Sequence, residues 1–138
     1  GGSGFLGNDL VTRLKGSGCH VCVMARNEGN LIKLQMKHPW IRILTGDVSD
    51  RYSVQQAMKG VDGIFHLAAF KHVGLAEKQS RECINSNTIG SLILLEEAVK
   101  EKVDFVLGIS TDKAAQVSGV YGASKLLMER LFTQFEKT

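Results

Sequence analysis

The stretch Gly1-Gly-Ser-Gly-Phe-Leu-Gly-Asn-Asp-Leu-Val-Thr-Arg-Leu-Lys15 decides how the rest of the chain is read. Its second half, from Asn8, carries apolar residues at helical spacing, so Gly1, Gly4 and Gly7 open a helix. Glycines at such a start let the chain turn tightly, let backbone amides approach an anion, and seat the helix close against a sheet. The first amides of a helix have no partner within it and carry partial positive charge, which is how a dinucleotide fingerprint binds pyrophosphate. Glycine clusters also occur in flexible turns, and the remainder of the chain selects between the two.

Beyond Gly16-Ser-Gly18 the sequence alternates between strand and helix patterns. Cys19 to Ala25 reads as a strand and Asn30 to Lys37 as a helix, stopped near His38-Pro39 by the one proline. Trp40 to Leu44 is a strand, Arg51 to Lys59 a helix, and Ile64 to Ala69 an apolar strand of the kind covered on both faces. Gln79 to Lys102 is a long helix with Ile84, Ile89, Leu92, Leu95 and Val99 as its apolar stripe, interrupted by Asn85, Asn87 and Gly90. Val103 to Ile109 is a strand, and Tyr121 to Phe135 the last helix. The fold class is therefore α/β, a Rossmann-like doubly wound parallel sheet, with residues 1–138 forming part of one NAD(P)-binding domain. The fingerprint should follow a hydrophobic strand, yet the chain starts at the first glycine without a methionine, so a cut at the amino end is expected. The strand ahead of Gly1 would be the central one in the order 3-2-1-4-5.

Composition excludes several classes. With 43% hydrophobic and 22% charged residues the chain is neither disordered nor, in this segment, membrane-contacting, because its apolar runs fall far short of a span. Seventeen Lys and Arg against 14 Asp and Glu are scattered rather than clustered, which does not suggest nucleic acid. Three cysteines and no signal peptide fit a reducing cytoplasm. Cys19 and Cys22, three apart in an expected strand, point to opposite faces, and no His, Cys, Asp or Glu grouping has metal-ligand spacing.

Candidate ligand contacts gather at the carboxyl ends of the strands. Arg26 ends one strand where NAD-preferring folds carry an acid; an arginine suits the 2′-phosphate of NADP, or is a solvated surface residue. Asp47 could bond an adenine amino group while Val48 packs on the ring, or Asp47 or Ser49 could cap the next helix. Ala68 and Ala69 are small enough for a cofactor to lie across them. Lys71 and His72 are on a loop facing a ligand, whereas His66 is read as a packed core residue. Asn87 either bridges backbone and water near the site or is a surface residue. Ser3, Phe5 and Leu6 join Gly1, Gly4 and Gly7 as fingerprint contacts. Ser110-Thr-Asp-Lys-Ala-Ala-Gln-Val-Ser-Gly-Val-Tyr-Gly-Ala-Ser-Lys125 then sets Thr111, Asp112 and Lys113 just past a strand, with Tyr121 and Lys125 four apart on one helix face.

The strand-helix alternation, the glycine fingerprint and the Tyr-x-x-x-Lys pair together resemble the extended short-chain dehydrogenase/reductase family across essentially the whole chain. Ala68 to Val73, Glu82 to Gly90 and Ser110 to Ala115, with Tyr121 and Lys125, are similar to the nucleotide-sugar 4,6-dehydratases of polysaccharide biosynthesis that act on UDP-N-acetylglucosamine, some inverting C5. The resemblance implies NADP, with NAD as the alternative, held by the fingerprint, Arg26, Asp47, Val48, Ala68, Ala69, Lys71, Asn87, Tyr121 and Lys125. It implies that Tyr121 takes the C4-hydroxyl proton, Thr111 orients the substrate oxygen, Lys113 removes the C5 proton and Asp112 protonates the departing C6 hydroxyl. A UDP-sugar substrate, a homo-oligomeric full-length protein and a separate substrate domain follow from the same resemblance, as does a fragment inactive alone; some members are membrane-anchored. A tyrosine base is energetically reasonable: lowering a phenol of pKa ~10 by about three units takes roughly 4 kcal/mol. An ammonium ~4 to 6 Å away supplies about 3 to 4 kcal/mol at an effective dielectric near 20. Lys113 must be neutral when it acts, which burial or Lys125 would favour.

Overall fold

Gly4 caps the first helix without a side chain, so α1 (Phe5–Leu14) begins directly behind the glycine turn with open amides. The computed structural model describes residues 1–136. After α1 come β1 (Cys22–Ala25), α2 (Glu28–Lys37), β2 (Arg42–Thr45), α3 (Arg51–Met58) and β3 (Gly63–His66). They are followed by α4 (Val73–Lys78), α5 (Ser80–Ile84), α6 (Gly90–Lys100), β4 (Phe105–Gly108) and α7 (Val120–Phe135). A π-turn, Asn85–Ile89, joins α5 to α6, and a 3₁₀ turn, Asp112–Ala114, follows β4.

The strands pair in parallel as two ladders, Cys22 opposite Arg42 in β1–β2 and Gly63 opposite Phe105 in β3–β4. Within the described residues the ladders exchange no strand pairing. Gly1 lies between them. Its amino nitrogen donates to the Met24 carbonyl of β1 at 3.0 Å, and a Cβ on it would overlap the Leu67 and Ala68 backbone.

Strand side chains alternate between faces, and the core follows that alternation. Val23 and Ala25 of β1 meet Val11 of α1 and Leu31 and Leu34 of α2 on one face. On the other, Met24 of β1, Ile64 of β3 and Val106 of β4 pack with Val54 and Met58 of α3 and Ile93, Leu94 and Ala98 of α6. This second core spans both ladders and makes them one three-layer, doubly wound unit. Burying a leucine as completely as Leu31 contributes about 2 to 3 kcal/mol.

Several element boundaries differ from expectation. The first ladder strand starts at Cys22 because Gly16 and Gly18 both adopt positive φ in the turn before it, leaving Cys19 exposed and outside the strand. The strand expected over Ile64 to Ala69 leaves the ladder after His66, freeing Leu67 to Ala69 to line a cleft. Val73 to Lys78, for which the sequence pattern predicts no element, is helix α4, capped by His72 Nδ1, which accepts from Leu75 N at 3.2 Å. His72 is thus occupied as a cap.

The expected stripe of the long helix is also out of phase. Leu95 is buried as expected and Leu92 half-buried, but Ile84, Ile89 and Val99 are 41%, 40% and 47% exposed, whereas Cys83, Asn87, Gly90, Ser91, Leu94 and Ala98 are buried. Between the two halves of the helix lies the π-turn, in which Gly90 N donates to Asn85 O, five residues back rather than four. The inward face near the turn is polar, and its groups are matched. Asn87, fully buried, accepts from Phe70 N at 2.7 Å and donates to Phe70 O at 2.8 Å and Ser124 Oγ at 3.0 Å. Ser91 Oγ donates to Asn87 O at 2.7 Å and so accepts from His66 Nε2, 2.9 Å away, which fixes the neutral tautomer.

At the far end of α6 the buried Glu97 is bonded by Arg51 Nη1 of α3 at 2.5 Å, by Lys100 Nζ at 2.7 Å and by Gln55 at 3.2 Å. Lys100 first, then Arg51, hold its carboxyl down at about 2, against an ordinary 4.5. Asn87→Ala strands both Phe70 backbone groups and should lower stability by about 2 to 4 kcal/mol in urea unfolding. Because the Glu97 carboxyl titrates lower in the folded chain than in the unfolded one, its contribution is full above pH 4.5 and lost as pH falls toward 2. Glu97→Gln should accordingly melt about 5 °C below the parent chain at pH 7, with the gap closing across that acid window in thermal scans.

Candidate active site

The glycine turn and the carboxyl ends of β1, β2 and β3 surround one cleft of about 240 Å³. Gly1, Ser3 and Gly4 form one wall, with Arg26 and Asn27 beyond β1, Asp47 and Val48 beyond β2, and Ala68, Ala69 and Lys71 beyond β3. Gly4 keeps the α1 amides reachable, since a Cβ on it would meet nothing nearer than Gly1 O at 3.4 Å. Gly7 serves packing instead, because a Cβ there would overlap the Gly2 backbone and α1 could not lie against the turn. The cleft thus offers unpaired amides for a diphosphate, a floor of small side chains and a guanidinium at one end. These features fit a dinucleotide.

Other expected contacts take different parts. Phe5 is 92% exposed and Leu6 about half, and neither side chain lines the cleft, so only their backbone amides belong to the α1 opening. Asp47 Oδ1 accepts from Ser49 N at 2.9 Å and Ser49 Oγ at 2.8 Å, an Asx turn that aims the loop. Neither Asp47 nor Ser49 caps α3; Asp50 does, accepting from Ser53 N at 3.0 Å. Val48 lines the cleft while also filling the space beside Gly90, where a Cβ would stand 2.6 Å from its Cγ1. Asn87 lies behind the lining, which it shapes by holding Phe70.

The second group of residues lies past β4. Thr111 Oγ1 accepts from Lys113 N at 3.3 Å and donates to Asp112 Oδ1 at 3.2 Å, closing the 3₁₀ turn. The turn buries Ala114 and leaves Asp112 and Lys113 exposed, so the burial expected to favour a neutral Lys113 is not present. Gly122 lets the turn pack on α7, since a Cβ there would stand 2.5 Å from Lys113 O. The acid, the ammonium and the tyrosine helix are thereby held together. Tyr121 is half-buried, and its carbonyl accepts from Ser124 Oγ at 2.7 Å. Lys125 is only 3% exposed, with Nζ donating to Ile109 O at 2.5 Å and Met128 Sδ at 3.2 Å. Burial pulls its pKa down, opposed by Glu129. His66, packed as expected, is driven to about 3 by burial and then by Lys125.

Three residues of this region are absent from the sequence-based expectation. Asn27 lines the cleft and caps α2 by accepting from Asn30 N at 2.9 Å; a side-chain amide just before Glu28 is the available signal. Ser86 lines the cleft from within the π-turn, and Ser124 bridges Asn87 to the Tyr121 carbonyl. Neither carries a sequence signal. Among the described residues no three His, Cys, Asp or Glu side chains are grouped to hold a metal ion, and no helix is long and apolar enough to cross a membrane.

Comparison with known proteins accords with this geometry. The chain is 41% identical over 134 residues to an uncharacterized membrane protein of Methanocaldococcus jannaschii, and 37% identical over 138 residues to a UDP-glucose 4-epimerase of Rickettsia canadensis. Each alignment covers 95% of this chain and 40% of the relative, so the chain spans well under half the length of the curated relatives it matches. The crystal structure of a dTDP-glucose 4,6-dehydratase from Streptomyces venezuelae, with NAD and TYD bound, superposes with a TM-score of 0.87 at 26% identity. That superposition covers all of this chain and 50% of the other. A model of the polysaccharide biosynthesis protein family matches residues 1–138, so the chain belongs to that family, within the extended short-chain dehydrogenases/reductases.

Proposed function

We propose that the full-length protein is a nucleotide-sugar 4,6-dehydratase of the UDP-N-acetylglucosamine type, with or without C5 inversion, that retains NADP through each cycle. The observation carrying this reading is the seating of the Thr111-Asp112-Lys113 turn on Gly122, beside Tyr121. A simple oxidoreductase needs the tyrosine and Lys125; it has no use for an acid and an amine held next to them.

The α1 amides and the Gly1 to Gly4 wall would hold the diphosphate, Arg26 the 2′-phosphate, Asp47 and Val48 the adenine, and Ala68, Ala69 and Lys71 the nicotinamide half. NADP is favoured over NAD because the cleft lining past β1 is Arg26 and Asn27, without a carboxylate. Bound NADP supplies a hydride acceptor at C4 of the sugar and a donor at C6, with no net consumption. Tyr121 takes the C4-hydroxyl proton, its phenolate favoured by the Lys125 ammonium, while Thr111 orients the sugar oxygen. The C4 ketone acidifies the C5 proton, which Lys113 removes as Asp112 protonates the departing C6 hydroxyl. Since Lys113 is exposed in this chain, the desolvation that favours its neutral form has to come with the bound sugar.

The epimerase relative favours a second reading, a sugar-nucleotide epimerase or reductase that uses Tyr121 and Lys125 alone. A non-catalytic dinucleotide-binding module would bind NADP without Tyr121-dependent hydride transfer.

In the full-length protein, Tyr121→Phe should cut turnover of UDP-N-acetylglucosamine on the order of a hundredfold or more. Lys113→Ala should abolish the 4-keto-6-deoxy product seen by proton NMR while sparing dinucleotide binding; a sugar epimer, with the C6 hydroxyl kept, formed equally by the parent and by Lys113→Ala would point to the epimerase reading. By calorimetry, Arg26→Ala should weaken NADP about tenfold or more and change NAD little, and equal losses for both would remove the 2′-phosphate assignment.

A further inference from the structure

We infer that Glu77 is a positioning residue for Tyr121, acting through the first turn of α7; this rests on the assignment of Tyr121 as the proton acceptor. The N-cap position of α7 is Gly119, which has no side chain to offer the helix amides. The cap comes from another helix. Glu77, on the last turn of α4, accepts from Val120 N at 2.6 Å through Oε1, across 43 positions of chain. A carboxylate on the first amides of a 16-residue helix is favoured both as an acceptor and by the helix dipole.

Gly119 is fitted to that carboxylate. Its backbone is extended, with φ −163° and ψ −178°, a conformation open to any residue. A Cβ there, however, would overlap Glu77 Oε1. A side chain at this position would therefore move the carboxylate off the Val120 amide, without any backbone strain.

The cap sits where backbone placement matters to chemistry. Tyr121 directly follows the capped Val120, and its carbonyl accepts from Ser124 Oγ at 2.7 Å, so the chain is held on both sides of it. His72, the N-cap of α4, is next to Lys71 of the cleft. This short helix is a strut between the lip of the dinucleotide cleft and the root of the tyrosine helix. A misplacement of about 1 Å can cost about a hundredfold in rate, so loosening one helical turn should cost roughly tenfold.

The test is a double-mutant cycle in the full-length protein with UDP-N-acetylglucosamine. Glu77→Ala and Gly119→Ala should each lower kcat about tenfold and leave the sugar-nucleotide KM and dinucleotide Kd within about twofold. Glu77→Gln, which keeps an acceptor oxygen, should recover most of the rate. Glu77→Ala with Gly119→Ala should fall no further than either alone, because the added methyl then has no carboxylate to displace. Unchanged kcat with only a lowered melting temperature, additive losses in the double variant, or failure of all these variants to fold would overturn the inference. Tyr121→Phe distinguishes the two levels. If it retains turnover, the assignment of Tyr121 falls and the positioning role with it; if it is inactive while Glu77→Ala is silent, only the role of Glu77 falls.

Discussion

The Asn87 side chain lies where the strand-end loop, the π-turn and the tyrosine helix meet, and it bonds to the loop and to that helix. A buried primary amide is costly unless matched, since each unsatisfied group there loses about 1 to 3 kcal/mol. At Asn87 the cost is offset by binding both polar groups of one peptide residue, Phe70, and the hydroxyl that holds the Tyr121 carbonyl. The loop carrying Lys71 and the turn carrying Tyr121 are therefore set against one reference point. Neither can shift without leaving polar groups stranded in the interior.

Around that point the charges are arranged by burial. Lys125 is enclosed with a carbonyl and a thioether as its nearest partners, and His66 is kept neutral by burial and by that same cation. The imidazole consequently serves as a hydrogen-bond donor to Ser91 over the whole physiological range, and its stacking on Phe132 anchors α7 to β3. The open α1 amides, Arg26 and Lys71 face the cleft instead. Among the described residues the interior thus carries one buried lysine, Lys125, while the binding surface carries the groups suited to phosphate.

Much of this is legible in the sequence because it rests on local rules. The glycine turn, the alternation of strands and helices and the polar cluster past Ile109 all follow from periodicity and backbone freedom over a few residues. The failures share a different cause. The stripe expected of the long helix misses the buried face by one position at both ends, Ile84 for Cys83 and Val99 for Ala98, because that face carries the polar Asn87 and Ser91, which a pattern of apolar residues passes over. Asp47 and Asp50 are both plausible caps by residue type, and Asp50 takes the part because of where the loop turns. The need of Asn87 for a partner is evident from its place in an apolar helix, but that partner is Phe70, 17 residues away. Glu77 has no signal at all, because a cap supplied across 43 residues is a fact of tertiary packing.

The π-turn has a consequence for how this segment can vary. In an uninterrupted helix the faces before and after any point are locked in phase, so a side chain that serves one partner dictates what its neighbours can serve. Here Cys83 and Asn87 address the tyrosine helix, while Leu94 and Ala98, beyond the wide turn, address the sheet. The extra residue uncouples these two requirements. A single-residue deletion within Asn85–Ile89 would rotate the two faces out of register at once.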